Sequence, residues 1–302
     1  MSRLQEVDAP SDRGRVGRAY IRRVRQLVRN IETQSDRQVR SALEFLADAR
    51  RRIIDEMSSL PQDDNHRYRL ETLQSATAAI DRQTVDFARR FGVQLAIDLD
   101  TSFTTGVQFL PDALSTAGVN LLWQPEVSRA QLLISQRLGQ ELVVRVSTDF
   151  RQRARRVIQL GIVGAKSVAQ MEREMQALLR TQPDRLTKRM GPIASQAEAI
   201  VMTESLRTFA LAAESRSQEL AKQVPEMRHY WLSAGDGRVR PAHAIASGRY
   251  APGSDPGPIP KRQAFIVGGE RMMHPHDPAG SAGNVIRCRC IAVDWNPEWF
   301  AA

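Results

Sequence analysis

From Tyr20 to Leu60 the apolar side chains keep to one helical face. Ile21, Val24, Val28 and Ile31 recur at spacings of three and four, and Val39, Leu43, Leu46, Ile53, Met57 and Leu60 continue the series. Nothing else limits the fold of this chain as strongly, because so long a 3.6-residue period commits the segment to an amphipathic helix and to a partner covering its apolar stripe. A break is expected near Gln34, where the pattern loosens. The opposite face carries Arg18, Arg22, Arg25, Arg29, Arg40, Arg50, Arg51 and Arg52, offset by Glu32, Asp36, Glu44, Asp48, Asp55 and Glu56, and this mixture reads as a solvated face.

"LPQDDN" marks a turn, after which His66 to Phe91 resumes the helical period through Leu70, Leu73, Thr77, Ile80, Thr84 and Phe87, giving a helical hairpin. Gly106, Pro111, Gly118 and Pro125 punctuate the stretch Gly92 to Pro125, which reads as a connector with short helices. A long helix is expected from Pro125 to about Gly161–Gly164. A second begins at Ser167, whose hydroxyl and Gln170 form a capping box of the Gln kind, and a third runs from Ile193 to Lys222. At Val224 the character changes: glycine and proline become dense, and "HYWLS", "AFIVG" and "IAVDW" read as short strands. The expected fold is mostly α, an extended helical N-terminal region with long helices followed by a small α+β C-terminal domain. The segments are 1–125, 126–223 and 224–302.

Basic residues number 43 against 34 acidic ones, for a net charge of +9, and only Lys166, Lys188, Lys222 and Lys261 are lysines. Arginine forks onto phosphate or carboxylate oxygens, so the excess favours a polyanionic partner, with buried ion pairs as the competing use. The chain has no G-x-x-x-x-G-K-[ST] loop, no G-x-G-x-x-G after a strand, no H-E-x-x-H and no G-x-S-x-G, so an ATP-driven motor, a dinucleotide enzyme and a common hydrolase lose their best support. The charged N-terminus and the lack of a long apolar run predict a soluble protein made in the cytoplasm.

Both cysteines lie in "NVIRCRC", Asn284 to Cys290, and one intervening residue is too few for an unstrained disulfide. Read as a closing strand, the segment puts Cys288 and Cys290 on one face and Arg287 and Arg289 on the other. Buried thiols, a nucleophilic thiol activated by His243, and zinc held by the cysteines with His243, His274 or His276 all remain open. A metal-dependent nuclease built on His243, His274, His276 and Asp236 is the enzymatic alternative, although these spacings match no nuclease motif. Farther upstream, "RVSTDFRQRARR" gathers Arg145, Arg151, Arg153, Arg155 and Arg156 against the single acid Asp149, a candidate nucleic-acid contact that competes with ion pairing.

The order of features resembles a known family. A helix–"GIVGAKS"–helix unit is followed by a helix with Thr203, Glu204 and Arg207. Trp231 then precedes Asp236, Arg238, Arg240 and His243, and a proline-rich loop leads to Arg287, Cys288, Arg289 and Cys290. From Val127 to Asp294 this arrangement resembles the phage Mu F-like head morphogenesis family of tailed bacteriophages. It departs from the family in carrying Arg287 where Asn is usual, with Asn284 three residues earlier, and Phe209 or Ala210 in place of the Asn on the last helix. The resemblance implies a non-enzymatic minor virion protein inside the capsid, with the portal protein, capsid-interior or scaffolding proteins and double-stranded DNA as partners and no membrane. Some relatives carry a toxin domain after this module; here the chain ends eight residues after Asp294, so none is expected. Asp236, Arg240, His243 and Arg289 are expected to form a polar network ordering the loops of the small domain.

Overall fold

The computed structural model describes residues 10–63, 67–68, 70–118, 126–164, 166–222, 224 and 226–299. Its five long or medium helices are α1 (Pro10–Ser59), α2 (Leu73–Thr116), α3 (Ala130–Val163), α4 (Val168–Leu178) and α5 (Pro192–Ala221). A smaller region of mixed structure follows: β1 (Arg228–Leu232), α6 (Pro241–Arg249), β2 (Ile259–Pro260), β3 (Phe265–Val267), β4 (Glu270–Met272), α7 (Ala282–Val285) and β5 (Ile291–Trp295). The chain is mostly α, with long N-terminal helices and its strands confined to the C-terminal part. Residues 1–9, parts of the expected turn at 60–65 and the end of the expected connector, 119–125, lie outside the described residues.

The chain forms two compact units that cut across the expected sequential segments. One comprises the described residues of Met1–Asp36, Asp98–Ser135 and Met202–Ala302, and the other Arg37–Ile97 and Gln136–Val201. Helix α1 is continuous, contrary to the expected break near Gln34. Its buried row runs Val16, Tyr20, Val24, Leu27, Ile31, Ser35, Gln38, Ala42, Leu46, Ala49, Ile53 and Met57, and the loosening comes from Ser35 and Gln38 occupying inward positions.

In the second unit, Phe87 packs against Phe91 at 5.4 Å and edge-on to Phe150 at 5.8 Å, and Ile53, Met57, Ile80, Leu95 and Ile158 of the same unit are fully buried. Each such side chain contributes roughly 1.5–3 kcal/mol by leaving water. Ser167 caps α4 as the sequence predicts, its hydroxyl accepting from the Gln170 backbone while the Gln170 side chain accepts from the Ser167 N–H at 2.8 Å.

In the first unit, the expected connector after Gly92 is instead helix through Thr116. Two residues that read as breakers are accommodated there. A Cβ on Gly106 would overlap the Phe209 carbonyl and come within 2.9 Å of the Ala212 methyl, so Gly106 permits close helix packing. Pro111 cannot donate to Val107 O four residues back, and Arg216 Nε donates to that carbonyl instead at 3.3 Å. Strand β1 is central in an antiparallel sheet of order β2-β1-β5, with Tyr230 opposite Val293 and Trp231 opposite Ala292. Strands β3 and β4 form a separate hairpin whose turn, Gly268–Gly269, has positive φ at both residues, as two-residue hairpin turns require.

Candidate functional site

Helix α6 lies where the sequence reading had none. It starts at Pro241, where a missing N–H costs nothing, and it buries His243 and Ala246 one turn apart. His243 Nδ1 lies 3.3 Å from Cys290 Sγ and 3.5 Å from Cys288 Sγ, and these three ligand atoms all fall within 4.8 Å of one another. Asn284 Oδ1 sits 3.2 Å from His243 Nε2, and Asn284 Nδ2 donates to Val267 O at 3.2 Å. Asn284 therefore holds the proton on Nε2 and leaves the Nδ1 lone pair facing the sulfurs. The cysteines precede β5 rather than lying in a strand; Arg287, with φ 55°, reverses the chain just before them, and its N–H donates to Thr203 Oγ1 of α5 at 3.0 Å. The thiols titrate as a pair. Their shared hydrogen bond draws Cys288 far below its ordinary value and pushes Cys290 well above.

Of the other histidines proposed as metal ligands, His276 is fully buried, has φ 66°, makes no well-formed ring hydrogen bond among the described residues and lies against Cys288, whose thiol is the one group its ring approaches as a hydrogen-bond partner and helps to lower. His274 is turned away. Its Nδ1 donates to Pro275 O at 2.8 Å, and burial lowers its pKa.

The expected polar network divides into three parts. Arg289 forks onto Asp236 at 2.5 and 2.8 Å and, with Arg238, holds that carboxyl well below the usual carboxylate range. Arg240 donates to Ile286 O, and His243 belongs to the thiol cluster. Asp236 is thus engaged by arginines. The His243, His276 and cysteine side chains are at most 2% exposed, which leaves a phosphodiester no route to them.

The sequence reading missed a buried ion triad. Lys261 Nζ donates to Glu214 Oε2 at 2.8 Å and Asp294 Oδ1 at 2.9 Å, and all three side chains are under a tenth exposed. Ser217 donates to the same Asp294 oxygen, and Tyr20 OH donates to the Asp294 carbonyl at 2.8 Å. Burial opposes charge on Lys261, but Asp294 and Glu214 outweigh it and raise its pKa. Glu214 is lowered because Lys261 offsets its burial, whereas burial prevails at Asp294 and raises it. The available signal was that Lys261 is one of four lysines in an arginine-rich chain.

The candidate nucleic-acid arginines also divide. Arg155 forks onto Asp81 with Arg151 nearby at 3.7 Å, and Arg153 pairs with Asp149 at 2.7 Å. Arg145 and Arg156 stay exposed and form no ion pair among the described residues. A second basic surface lies elsewhere in that unit, where a groove of about 600 Å³ is lined by Arg50, Arg51, Arg173 and Arg180 with Ile54, Asp55 and Gln176; Arg51 pairs with Asp48 and Arg180 with Asp184, whereas Arg50 and Arg173 form no ion pair among the described residues. In the other unit, exposed Arg18, Arg22, Arg25 and Arg29 form one stripe of α1 without an ion pair among the described residues.

Comparison with protein-family models, with curated proteins and with solved structures gives no match to this chain.

Proposed function

We propose that this chain is a minor virion protein of a tailed bacteriophage, associated with the portal inside the capsid and acting in head morphogenesis through non-specific contact with double-stranded DNA. One observation carries the reading: the residues behind the family resemblance, spread from Thr203 to Cys290, contact one another in pairs and small clusters within one compact unit. Thr203 accepts from Arg287, Trp231 packs edge-on to His243 at 5.5 Å, His243 meets both cysteines, and Arg289 clamps Asp236. Residues that support one another in this way are what a family signature marks in a small module. The basic groove and the α1 stripe suit a phosphate backbone, and the exposed Val93 and Ile97 on α2 offer apolar surface to a protein partner.

The test is the protein content of particles from the phage that encodes this chain. Mass spectrometry of purified heads should find it in few copies alongside the portal, protected from external protease until the DNA is released. Its absence from heads refutes the proposal.

A further inference from the structure

The small domain buries more ligand chemistry than hydrogen bonding explains, and this holds whether or not the chain belongs to a virion. We propose that His243, His276, Cys288 and Cys290 bind a structural zinc ion, with Asn284 orienting His243 from behind. Four facts carry this.

The spacing fits a tetrahedral metal. With zinc–nitrogen and zinc–sulfur bonds of about 2.0–2.1 and 2.3 Å, ligand atoms at a tetrahedral angle stand about 3.6 Å apart. The two measured nitrogen–sulfur separations are 3.3 and 3.5 Å.

The histidine is set for coordination. Nδ1 faces the sulfurs, while Asn284 takes the Nε2 proton and is itself fixed by the Val267 carbonyl. This outer hydrogen bond is the usual companion of a metal-bound imidazole.

The surroundings suit thiolates. The Cys290 N–H points to Cys288 Sγ at 3.4 Å, and the Trp231 indole N–H, which has no other acceptor among the described residues, lies beside Cys290.

His276 supplies the fourth ligand. A fully buried imidazole with no well-formed hydrogen bond among the described residues is costly, and here it is held in the left-handed backbone region with its ring against Cys288. His276 lies outside the cluster formed by His243, Cys288 and Cys290, so it completes the ligand set by turning a ring nitrogen toward the sulfurs when the ion binds. Four protein ligands at 2% exposure or less leave no open coordination position, so the ion staples α6, the loop carrying His276 and the loop before β5. His274 is left out because it does not join the cluster of His243, Cys288 and Cys290 and, unlike His276, does not lie against Cys288.

The experiment uses the full-length chain, purified under reducing conditions without chelator. Elemental analysis should give about one zinc per chain. Replacement by cobalt should produce the intense ligand-field absorption of a tetrahedral site together with a thiolate charge-transfer band, and both thiols should resist Ellman's reagent until the metal is withdrawn. His276→Ala and Asn284→Ala should each weaken zinc binding at least about tenfold, while His274→Ala leaves it unchanged. The proposal is overturned if neither the purified nor the zinc-reconstituted reduced protein holds stoichiometric metal, or if cobalt binds without the thiolate band. It is equally overturned if His276→Ala binds as tightly as the unaltered chain. Stoichiometry and cobalt spectrum are read on that unaltered chain, so a variant that fails to fold does not obscure the result.

Discussion

Replacing Lys261 with methionine removes one charge and almost no volume, and it leaves two buried carboxylates facing each other. Among the described residues Lys261 Nζ is the only cation within hydrogen-bond reach of both Glu214 and Asp294, at 2.8 and 2.9 Å. Without it, Glu214 keeps the Gln218 amide at 2.9 Å and Asp294 keeps the Ser217 hydroxyl, both neutral donors. Breaking a buried ion group by removing one partner costs about 3–5 kcal/mol. At 2–4 °C per kcal/mol, the melting midpoint should fall by roughly 6–20 °C. The pH dependence gives a sharper signature. In the unaltered chain Glu214 is lowered by Lys261, so its contribution is present above its unfolded pKa and fades as the pH falls. In Lys261→Met burial alone acts on both acids and raises them, so their cost is greatest near neutrality and is relieved as acid protonates them. The gap in stability between the two proteins should therefore shrink from about pH 7.5 to about pH 5, read by thermal melts followed by circular dichroism. Adding Glu214→Gln and Asp294→Asn should restore most of the loss. A penalty below about 1 kcal/mol at neutral pH, or one that widens on acidification, would refute the triad's role.

Three further outcomes are expected. Gly106→Ala should lower the melting midpoint by an amount equivalent to about 1–3 kcal/mol, because its Cβ overlaps the Phe209 carbonyl. Ser167→Ala removes the α4 cap and should cost about 0.5–2 kcal/mol in denaturant unfolding, with Ser167→Asp retaining most of the stability. Filter binding of random-sequence duplex DNA should show a steep loss of affinity with salt. The Arg50→Ala, Arg173→Ala double variant should flatten the log–log slope by about 1.8, two phosphate contacts' worth, and an unchanged slope would move the contact away from this groove.

Much of the helical architecture was legible because it rests on local signals. The Ser167–Gln170 box placed α4, and the dense glycine and proline after Val224 placed the strand-bearing region. What escaped was decided by contacts between distant segments. Pro111 reads as a breaker until Arg216, far along the chain, takes over the freed carbonyl, and Gly106 reads as a breaker until α5 packs against it. Helix α6, with Pro, Gly and small side chains, has too little periodicity to announce itself. At the site, cysteine and histidine were visible as candidates by residue type, but which histidine faces the thiols was not: His274 and His276 are two residues apart and point to different surroundings. The buried triad was hidden because Glu214, Lys261 and Asp294 have no common spacing.

The interleaving of the two units sets an order on synthesis. Every segment of the unit made of Arg37–Ile97 and Gln136–Val201 precedes Met202, so that unit can close before the segment from Met202 on is complete. The other cannot. Tyr20 bonds the carbonyl of Asp294, a partner 274 residues away, and Val16, Val24 and Ile31 belong to the same buried row of α1. The contacts of the first stretch of α1 with β5 must therefore wait until that strand is made, although α2 can reach the stretch earlier. A ribosome stalled before β5 should display the part of that stretch that β5 covers to chaperones and proteases, and the finished chain should withdraw it in a single late step limited by one very long loop closure.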